Sequence, residues 1–130
     1  LKTDISTRED VVLFVDSFYE KVRIDDLIGP IFAGIIKDDW QPHLEKMYRF
    51  WETVLLDNHT YSGAPFMPHA QLPLEKKHFN RWLLLFDQTL DQHFDGPVAE
   101  EAKSRAAKMA VMFLSKINYL KEHGSFRSLL

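Results

Sequence analysis

Apolar side chains recur at three- and four-residue spacing along most of the chain, the signature of helices with one buried face. Val11, Val12, Val15, Phe18, Tyr19 and Val22 form the first such stripe. Two caps are available just ahead of it, Ser6 with Glu9 as a capping-box pair and Thr7 with Asp10. This helix is expected to end near Arg23. Asp25 to Gly29 reads as a short helical turn closed by Gly29-Pro30, after which Ile31-Phe32 enters the core.

A second long stripe runs through Trp40, Leu44, Met47, Trp51, Val54 and Leu55. Asp38 or Asp39 can cap it, and Pro42 falls in its first turn, where a missing N–H costs little. Asp57 to Pro73 contains Asn58, Gly63, Pro65, Pro68 and Pro73, too many breakers for a long helix, so a long loop with room for one helical turn is expected. Phe79, Trp82, Leu83, Phe86, Leu90 and Phe94 mark a helix from Leu74 or Glu75 to about Phe94. Gly96-Pro97 then starts a last helix through Ala99, Ala102, Ala106, Met109, Ala110, Phe113, Ile117 and Leu120, ending at Gly124 with a frayed tail. Four long helices and two short ones make an all-α chain. Long ordered loops in compact helical domains tend to serve function, so the proline-bearing loop stands out.

At 130 residues the chain suits one domain, read as residues 1–130 with a core over about 7–122. A net charge of -3 gives no basic surplus for phosphates, so nucleic acid is an unexpected partner. No apolar run is long enough for a membrane span, and the first residues do not resemble a secretory signal. A cytoplasmic protein is expected. Zero cysteines exclude disulfides, thiolate metal sites and thiol nucleophiles. Aromatic content is high, with 10 Phe, 4 Tyr and 3 Trp, which suits a bulky core or an aromatic ligand.

Any metal must therefore use His, Tyr, Met or carboxylates. The six histidines, His43, His59, His69, His78, His93 and His123, include no pair at helical i and i+4 spacing. Glu75-x-x-His78 is a lone instance of a pattern that di-iron bundles need twice. No G-x-S-x-G and no glycine-rich phosphate loop occurs. A single-histidine cofactor site, or none, remains. His43 lies one turn before Met47 and can sit beside the apolar face of its helix, although such a histidine is more often a half-buried residue bonded to backbone. His69 lies in a short segment whose flanking prolines lower the entropy cost of holding one side chain. The competing reading there is an exposed loop histidine. Tyr19 and Trp82 are each expected to point partly inward with a polar tip that needs a partner.

Taken in order, several segments carry a resemblance. They are Phe18-Tyr19-Glu20-Lys21-Val22, Gly29-Pro30-Ile31-Phe32, Trp40-x-x-His43, Phe50-Trp51, Tyr61-x-Gly63, His69-x-x-Leu72-Pro73 and Phe79-x-x-Trp82-Leu83-x-x-Phe86. From about Val11 to Phe113 the chain resembles the group III truncated haemoglobins of bacteria. The resemblance implies a shortened globin fold, two pairs of antiparallel helices in a two-on-two sandwich around one haem b. With no cysteine to attach it, that haem would be held non-covalently.

The resemblance puts the iron ligand at His69, with His78 the rival given a structural or surface role. It makes Tyr19 and Trp82 hydrogen-bond donors on the distal side and His43 a gate. Phe32, Met47, Leu72 and Phe79 would pack the porphyrin, with Trp82 beside them, and Lys46 would pair with a propionate. It implies oxygen, nitric oxide and carbon monoxide as ligands, and redox chemistry on nitric oxide, peroxide or oxygen as the role. Turnover would need a separate reductase, since no flavin or nicotinamide signature is present. The alternatives are a gas store or sensor that turns over little, and a helical interaction domain without cofactor. A monomer or weak dimer is expected.

Overall fold

The computed structural model describes residues 1–61, 63 and 73–123 of the chain. Five helices run through them: α1 (Arg8–Ile24), α2 (Gly29–Ile36), α3 (Trp40–Leu56), α4 (Lys76–His93) and α5 (Pro97–His123). Helix α1 packs on α2, α3 and α4, and α4 lies along α5. The architecture of the described residues is all-α, as the apolar stripes predict. The second expected short helical turn falls between Asp57 and Pro73, mostly outside the described residues, as does the expected frayed tail from Gly124.

Local choices differ in two places from the sequence reading. Of the two candidate caps, Thr7 is used: its side chain accepts from the Asp10 N–H, and the Asp10 carboxylate accepts from the backbone N–H groups of Ser6 and Thr7. The Ser6–Glu9 pair is passed over because an Asp at the third helical position reaches back as well as a Glu does. Gly29-Pro30 opens a helix instead of closing a turn. Proline has its φ preset for the first helical turn, and the donor it lacks there has no intrahelical partner anyway. A Cβ on Gly29 would fall 2.8 Å from the Val22 carbonyl oxygen, so glycine lets α2 leave α1 at close range.

The Asp25 carboxylate organises that junction, accepting from the backbone N–H groups of Leu27 and Ile28 at 3.1 and 2.9 Å. Arg81 on α4 adds an ion pair to it at 2.7 Å. Burial opposes ionisation of Asp25, but these hydrogen bonds and the Arg81 charge outweigh it and hold the carboxyl below its ordinary value. Asp4 plays a like part at the other end, accepting from Val98 and Ala99 N–H at the start of α5.

The core centres on α1. Phe14, Val11, Val15 and Val22 are sealed against Phe86, Leu90, Trp51 and the small residues Ala99, Ala102 and Ala106 of α5. Alanines at these α5 positions let α5 lie close along α4. A buried charge, Glu52 on α3, is compensated by Arg8 at 2.8 Å and by the Thr60 hydroxyl at 2.6 Å. That contact ties the start of α1 to the end of α3 and to the loop beyond.

Candidate functional site

Side chains from α1, α2, α3, α4 and α5, with Phe14, Trp51 and Phe86 of the core among them, surround a cavity of about 570 Å³. Protein interiors close-pack, so a space of this size is built to be filled. Its volume is that of a typical cofactor pocket, roughly 300–1,000 Å³. A second depression, on α5 between Ala107, Lys108, Val111 and Met112, is shallow, open and lacks convergent polar groups.

Helix α1 contributes Tyr19 because its apolar stripe turns this position inward. The ring is only 7% exposed and meets His43 edge-on at 5.0 Å between centroids, with Phe32 at 5.9 Å. Burial raises the Tyr19 phenol above its ordinary value, so the hydroxyl keeps its proton and remains a donor. Trp82, from α4, is half-buried; it stacks on Phe86 at 5.3 Å and stands edge-on to Phe18 at 5.6 Å. Both Tyr19 and Trp82 line the cavity.

Helix α3 brings His43, Lys46 and Met47 to the same space, one turn apart along one face. Phe32 of α2 and Phe79 of α4 complete the apolar walls, with Ile31, Ile35 and Ile36 beside Phe32. Seven of the residues singled out in the sequence thus converge: Tyr19, Phe32, His43, Lys46, Met47, Phe79 and Trp82. His69 and Leu72 lie outside the described residues.

Two lining residues lie outside the set that the resemblance implied for the site. Arg49 lines the cavity one turn beyond Lys46, while also reaching Glu45 at 3.4 Å. Its i, i+3 spacing from Lys46 was a readable signal. The other is His78, half-buried at the cavity and also bonded at the start of α4. Its Nδ1 accepts the Glu75 backbone N–H at 2.9 Å. A neutral ring that accepts at Nδ1 carries its proton on Nε2, so it has no lone pair there for a metal.

Of the remaining histidines, His93 bonds Ser17 at 3.0 Å and His59 pairs with Asp57 at 2.9 Å on the surface. His123 bonds the Tyr119 carbonyl at the end of α5. None of these three lines the cavity. Among the described residues no cluster of three metal-ligating side chains occurs. No described helix is long and apolar enough to cross a membrane.

The residues fit a flat, mostly apolar macrocycle with acidic substituents. Aromatic and aliphatic walls would take its faces, Lys46 and Arg49 would face its carboxylates, and Tyr19, His43 and Trp82 are polar side chains in the same lining. Comparison with known proteins bears on this geometry. The model of the bacterial-like globin family matches residues 3–116. The group 3 truncated haemoglobin of Campylobacter jejuni is 33% identical over 129 residues, covering 95% of this chain and 98% of that protein. A crystal structure of group III truncated haemoglobin from Campylobacter jejuni superposes with a TM-score of 0.82 at 31% identity, over 90% of this chain and 95% of the other. With its helices in the truncated-globin arrangement and its family match running almost end to end, the chain belongs to the bacterial-like globins, in the group III truncated haemoglobin class.

Proposed function

We propose that this globin holds haem b non-covalently on His69 and binds diatomic gases for redox chemistry on nitric oxide, peroxide or oxygen. Haem-based gas binding is what globin membership carries. The observation that carries the finer reading is the convergence of Tyr19, His43 and Trp82 on one cavity whose other walls are apolar.

The haem, when bound, supplies an iron that takes one protein ligand and one exchangeable gas molecule. His69 is favoured as that protein ligand because His78, the rival at the cavity, has its Nδ1 committed to the Glu75 N–H. His43 stands instead against Tyr19, in the cluster of polar groups that faces the gas. Phe32, Met47, Leu72 and Phe79 pack the ring faces, and Lys46, joined by Arg49, neutralises the propionates.

Tyr19 and Trp82 act as hydrogen-bond donors in a mostly apolar pocket. A bound gas with partial negative charge gains from such donors, chiefly through slower release. His43 shields the opening and swings aside to admit ligands. Slow release suits chemistry better than delivery, and turnover then draws electrons from a separate reductase. We place the protein in the cytoplasm as a monomer or weak dimer.

The test is an absorption spectrum of the purified protein, ferrous and then with carbon monoxide, followed by oxygen dissociation and nitric oxide consumption with a reductant. A Soret band, slow oxygen release and nitric oxide turnover are expected. Fast release with negligible turnover would replace the redox role with gas storage or sensing.

A further inference from the structure

His43 belongs to a closed triangle of aromatic rings. It meets Tyr19 at 5.0 Å and Trp40 at 6.2 Å, and Trp40 meets Tyr19 at 6.0 Å, all three edge-to-face. His43 cannot leave the cavity wall without giving up two of these contacts. Trp40 is the first residue of α3, and Asp39 ahead of it makes no side-chain cap bond. The opening turn of α3, which carries both Trp40 and His43, is therefore held by packing and not by a cap.

What packs on Trp40 from outside is a charge. The Arg23 guanidinium lies 4.5 Å from the centre of the Trp40 ring, within cation–π range. Arg23 sits in the last turn of α1, is exposed, and forms no ion pair among the described residues. Helix α1 thus places an exposed cation from its last turn on the Trp40 vertex of the triangle. Ordinary solubility does not call for a planar cation over an indole face.

We infer that Arg23 and Trp40 form an outer latch on His43, setting how readily the distal wall opens to a small ligand. They are positioning residues, acting through the His43 ring, and this role rests on the proposed haem site. Releasing the latch speeds admission of ligand and leaves the haem and the Tyr19 and Trp82 donors in place.

The test compares the parent protein with Arg23→Ala and Arg23→Lys. Carbon monoxide rebinding after photolysis should speed up roughly two- to fivefold in Arg23→Ala, the worth of one exposed cation–π contact, and stay near the parent rate in Arg23→Lys. Haem content should be equal in all three. A second measurement uses the haem-free proteins: ring-proton contacts between Trp40 and His43 by NMR should weaken in Arg23→Ala and persist in Arg23→Lys. Equal rebinding rates with equal ring contacts would overturn the latch. If Tyr19→Phe still altered oxygen release in that case, the proposed function would stand without it. A parent protein that takes up no haem would remove both.

Discussion

Two halves of this small protein spend their aromatic residues differently. Around Phe14, rings close on one another: Phe14 meets Trp51 at 5.8 Å and Phe86 at 5.9 Å, with Val11 and Ala102 completing a seal. Around Phe32 and His43 the rings are only half-buried, and with Phe79 they frame a cavity that reaches Phe14 and Phe86. The same apolar periodicity writes both halves. What differs is the partner helix: α5 offers alanines to the first half and bulkier Met109, Phe113 and Ile117 toward the second. The packed half supplies the rigidity against which the open half can be shaped for a ligand.

The largest break in this contrast should come from His69→Ala, which is expected to abolish haem binding. The readout is loss of the ferrous carbon monoxide spectrum; a normal spectrum would move the iron ligand to another histidine. Next comes a paired substitution. Phe14→Ala in the packed half should cost about 3–5 kcal/mol of stability with or without haem. Phe79→Ala, at the cavity wall, should cost distinctly less in haem-free protein and lose part of its haem affinity. Denaturant unfolding of both variants in both states checks this, and equal costs would erase the distinction between the halves.

Tyr19→Phe keeps the ring and removes the donor, so haem content should hold while oxygen release accelerates roughly tenfold, one hydrogen bond's worth. Stopped-flow displacement of oxygen measures it, and an unchanged rate would reject Tyr19 as a donor. The smallest effect concerns the junction between α1 and α2, which positions Phe32. The Asp25 carboxyl titrates lower when folded than when unfolded, so its contribution is present above the ordinary value of 3.8 and lost as pH falls through the folded value. Asp25→Asn should cost about 1 kcal/mol near neutral pH and flatten the acid limb of the stability curve. Thermal unfolding from pH 3 to pH 7, on the order of one midpoint per pH unit, tests the shape of that limb.

Much of the helix plan was legible in the sequence because it follows from period and punctuation. The stripe from Val11 to Val22 needs no tertiary knowledge, and neither does the stop at Gly96-Pro97. The Gly29-Pro30 junction was misread because the pair is equally at home ending a turn or beginning a helix. Only the close approach to the Val22 carbonyl decides between them. Arg49 was missed, and His78 was given only a structural or surface role, for a similar reason: each looks like an exposed charged or capping residue until the facing helix is in place.

The sequence by itself determined that this chain is helical and without thiol chemistry, with Tyr19 and Trp82 turned partly inward and His43 beside an apolar face. Periodicity fixes which way a side chain leaves its own helix. It cannot say what that side chain meets. Tertiary structure alone decided that three polar residues from three helices line one cavity, that Nδ1 of His78 is already occupied, and that Arg23 lies over Trp40. Those facts depend on helix-to-helix distances, which are set by the size of the residues at each crossing, here the alanines of α5 and the glycine at the start of α2.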